Sequence, residues 1–259
     1  MADPLLAGVI DAFERELQQR AYGLLVATRA DPRQDAIGAT KSLLGRGADA
    51  LVFAGVRPLP SEIELLAARN LPWLELTDGP GQGVLVIDIG RRRGGVLAGR
   101  YLVELGHRRC GVIAHQGGGQ TREGVAVTLA QADAAVMLAD APPVGTSSEA
   151  AKAAMRELLD RDVRPTAVVC GSDAEALAAL RECLIRDIAV PEEMSIIGFG
   201  DQDFARHLMP SLTTIRIAPG AIGARGAEML IAAREGRTSP HFEPVVRLVA
   251  RESTGPARS

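Results

Sequence analysis

The sequence predicts an α/β fold built as two doubly wound, parallel-sheet lobes. Short β-rich runs alternate with amphipathic helical stretches along the chain, which is typical of βαβ units. The runs AVVC (167–170) and SIIGF (195–199) are nearly continuously apolar, as strands buried on both faces of a parallel sheet are. None of the stretches rich in Pro, Gly or Ser is long enough to separate independent domains. The 259 residues therefore fit two lobes joined by short crossings.

In the first half, proline and glycine mark the helix ends. Asp3-Pro4 and Asp31-Pro32 each place a capping residue before a proline, which predicts two helix starts. Apolar residues recur at helical spacing after the first start, and Gly106 suits the C-terminal cap of a later helix. Further helices are predicted at 61–69 and 96–105. The predicted strands are 24–28, 50–54, 72–76, 85–89 and 110–114.

The second half repeats the alternation, again without an internal repeat that can be named. A helix begins near Arg122, and Pro191 ends a helical region and directs the chain into the next strand. The other predicted helices are 148–159, 174–185 and 222–234. The predicted strands are 134–138, 166–170, 195–199 and 245–250.

Composition excludes several classes of protein. Hydrophobic residues make up 47% of the chain and charged residues 24%, as in soluble globular proteins. No apolar run approaches the roughly 18 residues of a membrane span, and no secretory pattern is present, so we expect a cytoplasmic protein without membrane contact. The net charge of −3 gives no overall attraction to nucleic acid. Three widely spaced cysteines in apolar surroundings predict buried thiols.

Signatures of catalysis and of metal or cofactor binding are missing. The four histidines show no metal-ligand spacing, and there is no C-x-x-C, no G-x-S-x-G and no Walker-type phosphate loop. We therefore expect no metal, no cofactor and no enzymatic activity. The segment 117–119 could cradle a phosphate or form a flexible crossing. The run 91–93 could be a solvated arginine face paired with Asp88 or a contact for an anion, and Trp73 is predicted to lie in the core.

Three segments resemble one family of bacterial regulators. These are RYLVELGHRRCGVIA (100–114), the stretch 164–215 with its Val-Pro-Glu-Glu-Met-Ser and Pro-Ser-Leu-Thr-Thr motifs, and RLVARESTG (247–255). Together they resemble the lactose/galactose-repressor (LacI/GalR) family of transcription regulators. The resemblance implies two lobes of the periplasmic-binding-protein type (type I), three crossings and a small-molecule cleft between the lobes. It also implies a homodimer that reads operator DNA through an N-terminal helix-turn-helix headpiece.

Lobe boundaries and completeness follow from this resemblance as expectations. We predict an N-terminal lobe of residues 1–116 plus about 214–238, and a C-terminal lobe of about 117–213 plus 239–259. The chain begins on a helix, whereas such a lobe begins with a strand, so the first strand and the headpiece are expected in an upstream extension of roughly 50–60 residues. Operator DNA would then be bound through that headpiece and not by the present residues.

The resemblance also implies where an effector would bind. Ser172 and Asp173 match the family's Asn-Asp pair, and Asp201 matches the second acid of its Gly-Phe-Asp-Asp run. Hydroxyl and carboxylate groups can accept hydrogen bonds from a ligand, although Asp173 could instead cap the helix 174–185.

Three residues of the predicted ligand set come from the first half of that region. Arg91 aligns near the family's Asp-Asn, whereas Thr121 holds the place of its cleft arginine and Arg122 is shifted by one. Arg91 and Arg122 could balance the charges of Asp173 and Asp201.

The sequence departs from the family pattern at Gly200, where the family has its first acid. Aromatic residues make up 3% of the chain, so a stacking platform for a sugar is poorly supported. The effector therefore stays unidentified, and a sugar or another polar metabolite is expected. The leading function is the effector-binding and dimerisation core of a transcription regulator; the alternative is the solute-binding protein of a transporter.

Overall fold

The computed structural model describes residues 4–28, 36–79, 81–114, 119–139 and 147–258. The chain forms two compact units. Of the described residues, unit 1 consists of Pro4 to Ile89 together with Ala218–Pro244, and unit 2 consists of Gly90–Ile217 together with the residues from Val245 to Arg258. Among the described helices, none combines the length and the apolar character that crossing a membrane requires.

The helices and strands alternate along the chain as the sequence predicts. The helices are α1 Pro4–Gln19, α2 Ala36–Gly45, α3 Pro60–Ala68, α4 Arg91–Glu104, α5 Gly119–Gln131, α6 Ser147–Leu159, α7 Asp173–Ile185 and α8 Pro219–Arg234. The strands are β1 Leu51–Ala54, β2 Trp73–Thr77, β3 Leu85–Asp88, β4 Arg109–Ile113, β5 Ala135–Leu138, β6 Ala167–Cys170, β7 Ser195–Phe199, β8 Thr213–Ile217 and β9 Val246–Val249. A short 3₁₀ helix spans Asp203–His207.

Unit 1 contains a three-stranded parallel sheet of order β1-β2-β3. One core cluster of this unit consists of Leu51, Phe53 and Leu66, with Trp73 packed against it. The rings of Phe53 and Trp73 meet edge to face at 5.7 Å, a favourable aromatic geometry. Trp73, which was predicted to lie in the core, is partly buried and packs against this cluster from its margin.

The strand predicted at 24–28 is wrong. These residues form no ladder with the described strands, and Leu25 and Val26 are 48% and 62% exposed. Their β-rich composition describes a local preference, whereas a strand also needs a neighbour to receive its backbone hydrogen bonds. The β-rich composition of 24–28 therefore did not suffice to predict a strand.

Unit 2 contains a six-stranded sheet of order β5-β4-β6-β7-β8-β9, parallel except for the antiparallel pair β8–β9. The three cysteines are fully buried free thiols, as predicted. Burial raises the pKa of the Cys110 thiol to about 12, so this thiol stays protonated. β8 was not predicted, because its sequence TTIRI is less continuously apolar than those of β6 and β7.

The first lobe boundary is corrected by the sheet order. β4 pairs with β5 and β6, and α4 packs against α5 and β9, so both α4 and β4 belong to unit 2. The first crossing lies between Ile89 and Gly90 instead of after residue 116. The other two crossings, after Ile217 and after Pro244, lie within several residues of the predicted positions. A strand belongs to the sheet that receives its hydrogen bonds, which chain order alone does not reveal.

His107 links the end of α4 to the start of β6 and to the C-terminal segment, at the amino end of this sheet. Gly106 adopts φ +88° and ends α4, as predicted. The Nδ1 atom of His107 lies 2.8 Å from Thr166 Oγ1, and its Nε2 lies 3.1 Å from the Gly255 carbonyl oxygen. Because a carbonyl accepts, we assign the proton to Nε2, and Nδ1 then accepts from the Thr166 hydroxyl.

Acidification is expected to destabilise unit 2 through His107. Burial lowers the pKa of this imidazole below its ordinary value of 6.5, although the bond to Gly255 opposes the shift. The unfolded chain therefore takes up the proton first, and the stabilisation present above pH 6.5 is lost as the pH falls toward the folded-state pKa. Melting curves from about pH 7.5 to 5 should show this loss in the wild type. His107→Gln, which cannot take up the proton, should show a flatter profile; identical profiles would contradict the assignment.

Candidate functional site

All six predicted ligand residues lie on loops or helix starts at one edge of the unit 2 sheet, which we call the carboxyl edge. The parallel strands β4, β6 and β7 all end there, and ligands of doubly wound folds bind at that end of their strands. Ser172 and Asp173 follow β6, Asp201 follows β7, and Arg122 lies in the first turn of α5, which follows β4. Arg91 begins α4 and reaches this edge through its side chain.

Ser172, and not Asp173, is the cap of α7. Its extended backbone places Oγ 3.2 Å from the Glu175 backbone nitrogen, whose N–H it accepts. This hydrogen bond satisfies one of the free donors at the helix start. The interpretation of Asp173 as the capping residue is therefore wrong, and its carboxylate has other partners.

Asp173 is fully buried and both of its oxygens are engaged. Oδ1 accepts from Thr214 Oγ1 at 2.5 Å, and Oδ2 accepts from the Gln202 backbone N–H at 2.6 Å. Burial raises the pKa of this carboxyl, although the two hydrogen bonds oppose the shift. Gly198 makes room for the side chain, since a Cβ there would lie 2.3 Å from Oδ1. Asp173 thus ties the start of α7 to β8 and to the loop after β7.

Asp201 is held between two arginines. Its Oδ2 accepts from Arg216 Nε and its Oδ1 from a terminal nitrogen of Arg251, both at 2.5 Å. Burial opposes ionisation, but these two charged hydrogen bonds outweigh it and hold the pKa of Asp201 below its ordinary value. The expectation that Arg91 and Arg122 would balance this charge is corrected: Arg216 on β8 and Arg251 after β9 do so. Sequence reasoning missed Arg216 because β8 was not predicted, although Arg251 lies in the quoted RLVARESTG motif.

Arg91 is buried, which differs from the solvated face that was one interpretation of the run 91–93. A terminal nitrogen donates to the Gly171 carbonyl at 3.2 Å, and the guanidinium carbon lies 5.5 Å from the centre of the Phe199 ring. Within the same run, Arg92 instead forms an exposed ion pair with Glu123 at 2.9 Å. Cation–π contact and the carbonyl together offset the unfavourable dipole at a helix start.

Thr121 and Arg122 differ in accessibility. Thr121 is fully buried where α5 packs on α4, and its hydroxyl has no hydrogen-bond partner among the described residues. A Cβ on Gly95 of α4 would lie 2.2 Å from the Thr121 carbonyl oxygen, which shows how closely the two helices approach. Arg122 is half-buried. Of the segment 117–119, residues 117 and 118 lie outside the described part, and Gly119 begins α5.

The carboxyl edge thus combines arginines, held carboxylates and a capped helix start on one doubly wound unit. Residues 100–254 match the family model of the periplasmic binding protein-like domain. The chain belongs to this family. Among curated relatives, the HTH-type transcriptional repressor PurR of Yersinia pestis is 29% identical over 269 residues, a match that covers 98% of this chain and 78% of the relative.

Solved structures show the same likeness. The transcriptional regulator CelR in complex with cellobiose has a TM-score of 0.83 at 26% identity and covers 97% of this chain and 80% of its own. A LacI family regulator from Bifidobacterium animalis has a TM-score of 0.84 at 23% identity, covering 100% of this chain and 97% of its own; this similarity supports the fold. The chain is the effector-binding core of a LacI-type transcription regulator with the two-lobe type I fold. The transporter alternative is less well supported, because these relatives are regulators.

Proposed function

We propose that this core binds a small polar effector at the carboxyl edge of unit 2, and that binding changes the regulator's affinity for operator DNA. The observation that carries the proposal is the convergence of Arg91, Ser172, Asp173 and Asp201 at one end of the sheet. Operator DNA is bound through a helix-turn-helix headpiece, and the protein acts as a homodimer in the cytoplasm. The coupling is a linkage: an effector that binds one conformation better shifts the population toward it.

The chemistry of the carboxyl edge favours hydroxyl or carboxylate groups on the effector. Arg122 supplies hydrogen-bond donors, Ser172 and Asp201 supply acceptors, and Arg91 holds the loop after β6 through its hydrogen bond to the Gly171 carbonyl. We assign Asp173 and Thr121, which are fully buried, to positioning these groups instead of touching the effector. Cellobiose in the CelR complex is a polyhydroxylated ligand of this kind. Few aromatic residues are available for stacking, so polar contacts would dominate recognition.

A ligand screen tests this proposal. Neutral sugars, sugar acids and small carboxylates are added to the purified chain, and we expect members of one class to raise its melting temperature. For the compound so found, Arg122→Gln should weaken binding measured by calorimetry by about 1.5–3 kcal/mol, roughly 10- to 150-fold in Kd. Arg164→Gln, an exposed arginine before β6, serves as the charge-matched control. Full affinity in Arg122→Gln, or loss in both variants, would contradict the assigned site.

An exposed apolar stripe on α7 supports the homodimer. Leu177, Leu184 and Ile185 are 43%, 76% and 57% exposed, and their spacing places them along one face of the helix. The opposite face of α7 supplies the buried Ala176, Ala179 and Cys183 to the core. A second copy of the chain would cover this stripe in a two-fold interface, in which the same surface meets itself.

Leu184→Glu is expected to convert the dimer into a monomer. Two like charges would be brought together across the two-fold axis and desolvated, which costs several kcal/mol and exceeds the contribution of one exposed leucine. Sedimentation at about micromolar concentration measures the change. Val163→Glu is the control, because Val163 is also exposed (58%) but lies outside α7. A wild-type monomer, or a dimer that survives Leu184→Glu, would contradict the interface.

A further inference from the structure

Two arginines stand directly opposite each other at the edge of the unit 2 sheet. In the antiparallel ladder of β8 and β9, Arg216 is paired with Arg247. Opposed residues of such a ladder share a face, with Cβ atoms about 5 Å apart, and like charges in this position repel. Both side chains are exposed, and the neighbours Ile215 and Ile217 are buried on the other face of β8. The two arginine side chains therefore leave the same face of the sheet as neighbours and are exposed.

The surrounding carboxylates neutralise this cluster incompletely. Asp201 is shared between Arg216 and Arg251, so one negative charge faces three positive charges when Arg247 is included. Asp201 accepts from the Nε atom of Arg216, so the two terminal nitrogens of Arg216 can donate to a ligand. The Arg216 side chain is 54% exposed. Arg251 is occupied differently: it is 15% exposed and also donates to the Leu212 carbonyl at 2.6 Å. Among the described residues, no acidic side chain forms an ion pair with Arg247.

This arrangement has the features of an anion site. Asp201 adopts φ +53°, an uncommon backbone conformation that nevertheless directs its carboxylate at Arg216 and fixes that guanidinium in place. A guanidinium held by its Nε edge presents two parallel N–H donors, the geometry that binds carboxylate or phosphate oxygens in pairs. We propose that Arg216 and Arg247 form a binding site for a small oxyanion, the phosphate or carboxylate group of a metabolite. An oxyanion between them would relieve their repulsion and bridge β8 to β9.

Thermal unfolding in defined anions tests the proposal, which does not depend on the identity of the effector. At about 10 mM inorganic phosphate and a Kd near 1 mM, the melting temperature should rise by about 3–5 °C above that in sodium chloride of equal ionic strength. Malonate in a parallel series shows whether a carboxylate serves as well as a phosphate. An equal effect of chloride and both oxyanions would overturn the site.

Variants of Arg247 locate the effect. In R247Q the rise in melting temperature that phosphate causes beyond sodium chloride should disappear, whereas in R164Q it should persist. R247E should melt higher than the wild type at low salt, because its carboxylate makes the cross-strand pair complementary, and it should no longer respond to phosphate. Retention of the full phosphate shift in R247Q would overturn the proposal and place the anion elsewhere. If R247Q does not fold, R247E supplies the same comparison, since it removes the cation without leaving the opposing arginine unpaired.

Discussion

Gly124→Ala is expected to destabilise unit 2 by about 3 kcal/mol. A Cβ on Gly124 would lie 2.1 Å from the Arg92 carbonyl oxygen and 2.8 Å from the Val96 backbone nitrogen. These are backbone atoms of α4, so no side-chain rotation can relieve the clash and the two helices must separate. The reciprocal contact is made by Gly95 of α4, which lies against the Thr121 carbonyl of α5. The close approach of α4 and α5 therefore needs glycine on both helices.

Gly119→Ala is the matched control for this prediction. Gly119 lies at the start of the same helix, and, apart from its neighbours in the chain and in its own helix, no atom of the described residues lies within 4 Å of the place where its Cβ would be. Alanine there should be neutral or stabilising by up to about 1 kcal/mol, because it reduces the freedom of the unfolded chain. Denaturant unfolding followed by circular dichroism compares the two variants. Similar midpoints for Gly124→Ala and Gly119→Ala would show that the helices are not packed backbone to backbone.

The α4–α5 contact also bears on effector binding. Arg91 begins α4 and Arg122 lies in the first turn of α5, so the packing of the two helices sets the separation of these cations. Gly124→Ala is therefore expected to weaken effector binding in any fraction that still folds. Small residues are required where α4 and α5 touch because the two backbones lie close together, and not because these residues contact the effector.

Sequence reasoning succeeded where the signal is local or carried by a distinctive motif. The apolar runs at β6 and β7, the C-terminal cap of α4 at Gly106 and the buried cysteines depend on neighbours along the chain, and the structure confirms them. The family resemblance also led to the fold and to the regulator function. Patterns of this kind are readable because burial and helix ends impose fixed residue types.

Features set by contacts distant in sequence could not be predicted. The segment 24–28 has the composition of a strand but pairs with none of the described strands, whereas β8 has partner strands but a less apolar sequence. The charge partners of Asp201 lie 15 and 50 residues away, on elements that meet it through the sheet order. The first crossing, after Ile89, likewise depends on which sheet receives β4. In each case the pairing of strands decided the outcome.

Asp173→Ala is expected to lower the stability of unit 2 by about 2–3 kcal/mol, because the buried Thr214 hydroxyl and the half-buried Gln202 N–H lose their acceptor. The Thr214 hydroxyl can turn toward another group, whereas the Gln202 N–H is fixed by the backbone. Ser172→Ala, which removes the cap of α7, should cost about 1 kcal/mol and gives a reference at the adjacent residue. Equal losses in the two variants would contradict the internal role assigned to the Asp173 carboxylate.

The pH dependence of this loss follows from the pKa of Asp173. Because burial raises that pKa above its ordinary value of 3.8, ionisation is harder in the folded state, and the group stabilises the fold most below pH 3.8. This stabilisation declines as the pH rises through the folded-state pKa, so the difference between wild type and Asp173→Ala should be larger in acid than at neutral pH.

Calorimetric titration of the same variant separates positioning from direct contact with the effector. Loss of both stability and affinity indicates that Asp173 holds the loop carrying Asp201 in its binding conformation, since Gln202 is bonded to Asp173 and directly follows Asp201. A stable variant with lost affinity would instead show that the carboxylate contacts the effector.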